Sequence, residues 1–190
     1  MAVKVLLLPG WQNSGPGHWQ TAWESLHGDQ RVLQHDWLQP LRGDWITHLE
    51  EVVQQQTEPV LLAAHSLGCH LTLAWAALSR NTQRIAGALL VAPPDLLQAN
   101  LPPQLYSWRP PMCTRLPFPA MLVASSNDPF CSQAAAEQLA SDAGATFHAV
   151  GALGHINAES GLGDWPEGRA WLQALAKPAA SSFISRTEST

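Results

Sequence analysis

Apolar residues fall into short, nearly unbroken runs along this chain. They occupy residues 2–8, 59–64, 85–92, 120–125 and 145–150, with a weaker run at 31–37. Runs of this length, rich in Val, Leu and Ile and closed by Pro, Gly or polar residues, read as strands buried on both faces. Between them the apolar spacing becomes helical. Trp19, Ala22, Trp23 and Leu26 make one stripe, starting after Pro16 and stopped by Gly28. Trp45, Leu49, Val52 and Val53 make a second, for which Asp44 is the expected cap. Residues 67–80 are apolar on all sides, as in a helix packed deep against a sheet. Ser132 is placed to cap a helix ending near Asp142 and stopped by Gly144. Asp164-Trp165-Pro166-Glu167 reads as a variant capping box before a stripe of Trp171, Leu172 and Leu175. Strands alternating with helices mean an α/β fold: a parallel sheet between two helical layers, joined by right-handed crossovers.

One stretch breaks the rhythm. Eight of residues 92–119 are proline, and no helical stripe survives there. It is expected to run irregularly over the sheet edge and to cover part of any site there. Residues 1–177 then form one domain, and 178–190, small and polar, a flexible tail.

Composition narrows the partners. A net charge of −5 with only 13% charged residues offers no basic face for nucleic acid or an anionic membrane. Three cysteines without a C-x-x-C pair suit a reducing cytoplasm and form neither a disulfide framework nor a metal site. The first apolar run is too short for a membrane span or a signal peptide. No cofactor is expected: the glycine-rich loop 10–17 is not G-x-G-x-x-G. Nine tryptophans point to an aromatic core, an aromatic-lined pocket, or both.

The chemistry-bearing pattern begins where the 59–64 run meets the next helix, at Ala64-His65-Ser66-Leu67-Gly68. A serine on a sharp strand-to-helix turn is exposed, strained and surrounded by small residues, which is the geometry of a nucleophile elbow. The more usual pattern has glycine where Ala64 stands, and a serine at a helix start is also an ordinary N-cap. The later residues decide between them. Asp128 and His155 each follow a strand, giving the order Ser…Asp…His. A serine hydroxyl needs an imidazole to take its proton, and the imidazole needs a carboxylate on its other nitrogen. Asp95, after the fourth strand, is the rival acid. Of eight histidines, His155 alone sits in a loop after the last strand. The oxyanion donors are expected to be the N–H of Leu67 and that of Trp11, with Gln12 second choice. Gln12, His18, His65, Tyr106 and Trp108 are candidate walls of the site, and His18 is equally a candidate helix cap.

Pro9-Gly10-Trp11-Gln12-Asn13-Ser14-Gly15-Pro16-Gly17-His18-Trp19-Gln20, Ala64-His65-Ser66-Leu67-Gly68, Ser126-Asn127-Asp128-Pro129 and Gly154-His155-Ile156-Asn157, in that order, resemble the small serine hydrolases related to retinoblastoma-binding protein nine and the bacterial YdeN proteins. The resemblance spans residues 3–176. It implies a minimal α/β-hydrolase: a three-layer sandwich of about six mostly parallel strands, lacking the superfamily's usual first two strands and any cap domain. It also implies Ser66 as nucleophile, Asp128 as acid and His155 as base. The expectation is a metal-independent serine hydrolase acting on small carboxylic esters, amides or thioesters through an acyl-enzyme. Activity should rise with pH as His155 loses its proton. An acyltransferase using the same residues is one alternative. The other is a protein-binding module with a vestigial triad and exposed tryptophans.

Overall fold

The computed structural model describes residues 3–176, so the tail expected at 178–190 lies outside the described residues. Six parallel strands, β1 (Val5–Leu8), β2 (Gln30–Arg31), β3 (Val60–His65), β4 (Ile85–Val91), β5 (Ala120–Ala124) and β6 (Thr146–Ala149), form one sheet. Their order is β2-β1-β3-β4-β5-β6, and every neighbouring pair is parallel. Five helices, α1 (Trp19–His27), α2 (Arg42–Gln54), α3 (Leu67–Leu78), α4 (Gln133–Ala143) and α5 (Pro166–Leu175), flank it.

The period-two alternation of each strand divides the core into two layers. Leu6, Leu8, Leu62, Ala64 and Leu90 pack with residues of α2, α3 and α4. Val5, Leu7, Leu61, Ala63, Leu89 and Val91 pack on the other face with Trp19, Trp23 and Leu172 of α1 and α5. Both layers are dry along β1, β3, β4 and β5, which explains why those strands read as solid apolar runs; β6, expected to be buried on both faces, is instead an edge strand that is exposed or half-buried at every position.

The chain leaves β1 in one direction to form β2 and returns to form β3 on the opposite side. The carboxyl ends of β1 and β3 therefore flank a topological switch point, where loops diverge and open a crevice. Because all strands are parallel, the loops after β1, β3, β5 and β6 emerge along one edge.

Several boundaries differ from the sequence expectation. β2 is only two residues long: it is an edge strand, and beyond Val32, which still donates to the Leu7 carbonyl, the chain leaves the ladder for a turn built on Asp36. Asp44 does not cap α2. The helix begins at Arg42, and Asp44 lies in its first turn, where its charge meets the positive helix end. Helix α1 starts three residues after Pro16, because Gly17 turns left-handed (φ 81°) and His18 supplies the cap. Asp164 does not cap α5. Trp165 holds that position at φ 40° without a side-chain bond, its ring packed against Trp19 and Trp171. Residues 92–119 contain one 3-10 turn, Pro103–Trp108, and no cap domain. No helix among the described residues is long and apolar enough to cross a membrane.

Candidate active site

Ser66 links β3 to α3 at φ 54°, ψ −122°, a backbone that only a tight, over-determined turn holds in a non-glycine residue. Its N–H donates to the Val91 carbonyl at 2.9 Å. Two glycines make the turn possible. A Cβ on Gly68 would stand 2.1 Å from the Leu8 carbonyl oxygen, so only glycine lets α3 approach β1 this closely. A Cβ on Gly10 would stand 2.7 Å from the Ser66 Cβ and 3.1 Å from its Oγ, so the loop after β1 lies directly against the serine.

His155 follows β6 and Asp128 follows β5. The Ser66 hydroxyl donates to His155 Nε2 at 2.9 Å, and His155 Nδ1 donates to Asp128 Oδ2 at 2.9 Å. The Asp128 carboxylate is nearly dry, with its side chain 3% exposed. Asp95 is elsewhere: its carboxylate accepts from the Leu97 N–H at 2.8 Å and makes no bond to His155. The acid and base loops are laced together. Asn127 Oδ1 accepts the Gly154 N–H (2.7 Å), and Ser125 Oγ accepts the Leu153 N–H (2.9 Å). Phe130 closes edge-on to the His155 ring, centroids 4.7 Å apart.

Of the two candidates for a second oxyanion donor, Gln12 is spent. Its N–H donates to the Trp37 carbonyl at 3.0 Å, whereas the Trp11 N–H has no hydrogen-bond partner among the described residues. Arg31, which the sequence did not single out, fixes this loop by donating to Asn13 Oδ1 (2.7 Å) and the Ser14 carbonyl (2.8 Å). Gln20 is the other residue missed. Fully buried, it ties Ser14 Oγ (2.6 Å) to the Ala63 carbonyl of β3 (2.9 Å). Gln20 closes the first of the resembling motifs and Arg31 lies outside them; the bonding role of each is recognisable only once the loop and strand lie side by side.

A cleft of about 620 Å³ opens on Ser66 and His155 and is also lined by Gln12, His18 and His65. That size suits a small ligand. Without a cap the site would be shallow; Pro94, Leu101 and Leu105 of the proline-rich segment build one wall. Trp108 is not part of it. Its ring is buried against Trp45, and its Nε1 donates to the Pro40 carbonyl at 2.7 Å, so it anchors the segment from beneath. Tyr106 faces solvent away from the cleft. An aromatic in an irregular segment reads the same in sequence whether it faces the cleft, the core or water.

Burial holds the pKa of His18 down at about 3, with Arg31 and His155 adding to the effect, and burial likewise pushes His65 well below its ordinary range. Both are neutral at physiological pH. Burial raises Cys131 to about 12, aided by Asp95 and Asp128, and raises Cys69 as well, so neither supplies a thiolate. No set of His, Cys, Asp or Glu among the described residues has the arrangement of a metal site.

Comparison with known proteins places this geometry in a lineage. A sequence search against curated proteins finds no match. A YdeN-like hydrolase from Pectobacterium atrosepticum is similar at 30% identity, over 92% of this chain and 90% of that one, with a TM-score of 0.80. The ydeN gene product of B. subtilis superposes at 0.70 with 21% identity, over 91% of this chain and 98% of that one. A thermophilic esterase from Thermogutta terrifontis shares the fold at 14% identity and a TM-score of 0.66, over 92% and 91% of the two chains. The serine hydrolase family profile matches residues 5–174, nearly the whole described domain, and the chain belongs to that family.

Proposed function

We propose that this protein hydrolyses small carboxylic esters through an acyl-enzyme on Ser66. The observation that carries the reading is the unbroken line Asp128–His155–Ser66, with both links at 2.9 Å, ending in a cleft. His155 Nε2 takes the hydroxyl proton as Ser66 Oγ bonds to the ester carbon, and the carbonyl electron pair moves to oxygen. The Leu67 and Trp11 N–H groups receive that oxyanion. When the intermediate collapses, the ester C–O bond breaks and His155 returns the proton to the leaving alkoxide. Water repeats the sequence: His155 removes its proton, hydroxide adds to the acyl carbon, and Ser66 leaves with the proton restored. Asp128 accepts the Nδ1–H throughout, fixing the tautomer and stabilising the imidazolium.

The cleft lining narrows the substrate. Among the described residues its lining contains no lysine or arginine, and Glu159 is its one carboxylate. An acyl group bearing a carboxylate therefore has no counter-ion, while Leu101, Leu105 and Phe130 receive an uncharged apolar one. The esterase relative from Thermogutta terrifontis supports ester chemistry on this fold. A binding-module reading would need exposed tryptophans, yet Trp19, Trp23, Trp45, Trp75, Trp108 and Trp165 are buried and Trp11, Trp37 and Trp171 half-buried.

The test is covalent. A fluorophosphonate probe should label Ser66, and Ser66→Ala should abolish both the label and turnover of p-nitrophenyl esters. A folded protein that resists the probe would sink the proposal.

A further inference from the structure

We infer that His18 and His65 are positioning residues for the base: they form a one-way hydrogen-bond relay from the Gln20 amide to the backbone carbonyl of His155, and so set the Ser66–His155 distance. This rests on the reading of His155 as the base of Ser66.

The proton assignment follows bond by bond. The Gln20 N–H donates to His18 Nδ1 at 3.1 Å. A backbone amide nitrogen donates and does not accept, so that ring nitrogen is bare. Neutral His18 then carries its proton on Nε2, which faces His65 Nδ1 at 3.3 Å. His65 Nδ1 accepts, so its proton is on Nε2, which donates to the His155 carbonyl at 2.8 Å. Every donor meets an acceptor, and only one pair of tautomers allows it. A second proton on either ring would set two N–H groups against each other. The charged and titratable groups facing the pair are Arg31, itself bridged to Glu24, and His155, with Asp128 behind it.

The placement says what the relay does. His65 is covalently joined to the serine and hydrogen-bonded to the histidine that serves it. It is therefore a strut between Ser66 and His155, and its ring lies edge-on to the His155 ring, centroids 4.9 Å apart. His18, as the cap of α1, ties the strut to a helix, and both rings are buried at 4–5% exposure. The same loop is pulled from a second side: Trp19 Nε1 donates to the Ile156 carbonyl at 3.0 Å. Ile156 sits at φ 48°, which a β-branched residue adopts only when its surroundings impose it.

Two measurements test this. In ¹⁵N-labelled protein at neutral pH, the imidazole nitrogen shifts should show His18 and His65 both neutral, with Nε2 protonated and Nδ1 bare. A proton on Nδ1 of either ring would overturn the relay, and this reading needs no variant. For function, His65→Leu removes the strut, whereas His65→Gln keeps a donor and an acceptor at similar positions. The leucine variant should slow fluorophosphonate labelling of Ser66 and lower kcat by about 10- to 100-fold with KM unchanged. The glutamine variant should recover most of that loss at an equal or lower Tm. Wild-type labelling rates in His65→Leu would refute the positioning role. If the wild-type protein itself is not labelled, the hydrolase reading has failed; tautomers that still match would then leave the hydrogen-bond chain standing and remove its catalytic purpose.

Discussion

Gly10→Ala is a substitution whose consequence can be worked from distances. The new Cβ would lie 2.7 Å from the Ser66 Cβ, where ordinary contacts begin at 3.4 Å, so the loop and the serine must part by about 0.7 Å. The Ser66–His155 bond is 2.9 Å, and a displacement of that size along it would leave about 3.6 Å, beyond a hydrogen bond. The Leu67 N–H, 3.1 Å from the same Cβ, is disturbed as well. A misplacement approaching 1 Å costs on the order of 10²-fold in rate, so kcat/KM should fall about 10- to 100-fold, equivalent to about 1.4–2.7 kcal/mol of transition-state stabilisation. The stability cost should be smaller, about 1–2 kcal/mol, because the loop faces the cleft and can move outward. Gly68→Ala is the contrasting control. Its Cβ would meet the Leu8 carbonyl oxygen at 2.1 Å, and backbone cannot rotate away, so this variant should lose more than about 3 kcal/mol or fail to fold. Steady-state kinetics on p-nitrophenyl esters, with urea unfolding for both variants, separates the two effects. A Gly10→Ala enzyme with wild-type kcat/KM would refute the claim that this loop is packed against the working serine.

Three further outcomes are expected. Folded His18 resists protonation down to about 3 while the unfolded chain binds the proton near 6.5, so stability falls as pH drops through that window; from pH 7 to 5 His18 alone should remove about 2 kcal/mol, and buried His65 and His70 act in the same direction. Equal urea midpoints and m-values at both pH values would contradict this. Asp128→Asn should lower kcat by about 10⁴-fold, while Asp95→Asn, which touches only a local turn, should leave kinetics within about twofold; a reversed pattern would make Asp95 the acid. Trp108→Ala should cost about 3–5 kcal/mol in thermal or urea unfolding, and Tyr106→Ala should stay within about 0.5 kcal/mol, since one ring is core and the other faces water.

The readable and unreadable parts of the sequence separate along physical lines. The four inner strands were legible because strands dry on both faces must be apolar; the edges were less so, β2 being short and β6 exposed or half-buried throughout. Ser66, Asp128 and His155 were legible because each leaves a strand at the same edge, in an order the chemistry uses. Asp128 is preferred to Asp95 because it leaves the fifth strand directly, and the fold brings its carboxylate to His155 while Asp95 closes a local turn. Cap positions shifted where tertiary packing competed with local preference, as when Trp165 took the start of α5 in place of Asp164. The contact between His18 and His65 joins residues 47 positions apart through ring tautomers. No spacing rule encodes it. Gln20 and Arg31 were missed for the same reason: a lone polar residue in an amphipathic helix or edge strand looks solvated until its partners fold over it.

Besides the His155 ring bonds to Asp128 and Ser66 and the buried Ile156 side chain, the loop from Leu153 to Ile156 is held along its main chain. Ser125 and Asn127 hold the Leu153 and Gly154 amides, and His65 and Trp19 hold the His155 and Ile156 carbonyls. Evolution therefore has two separate handles here. The anchors lie elsewhere in the chain, while Ala158 and Glu159, just downstream, face the cleft and make no hydrogen bond to them. Under the proposed function, exchanging those side chains would shift substrate preference while leaving the Asp128–His155–Ser66 line in place. Divergence among descendants of this fold should accordingly concentrate at the cleft-facing residues after the base, and sparingly at the distant residues that hold it.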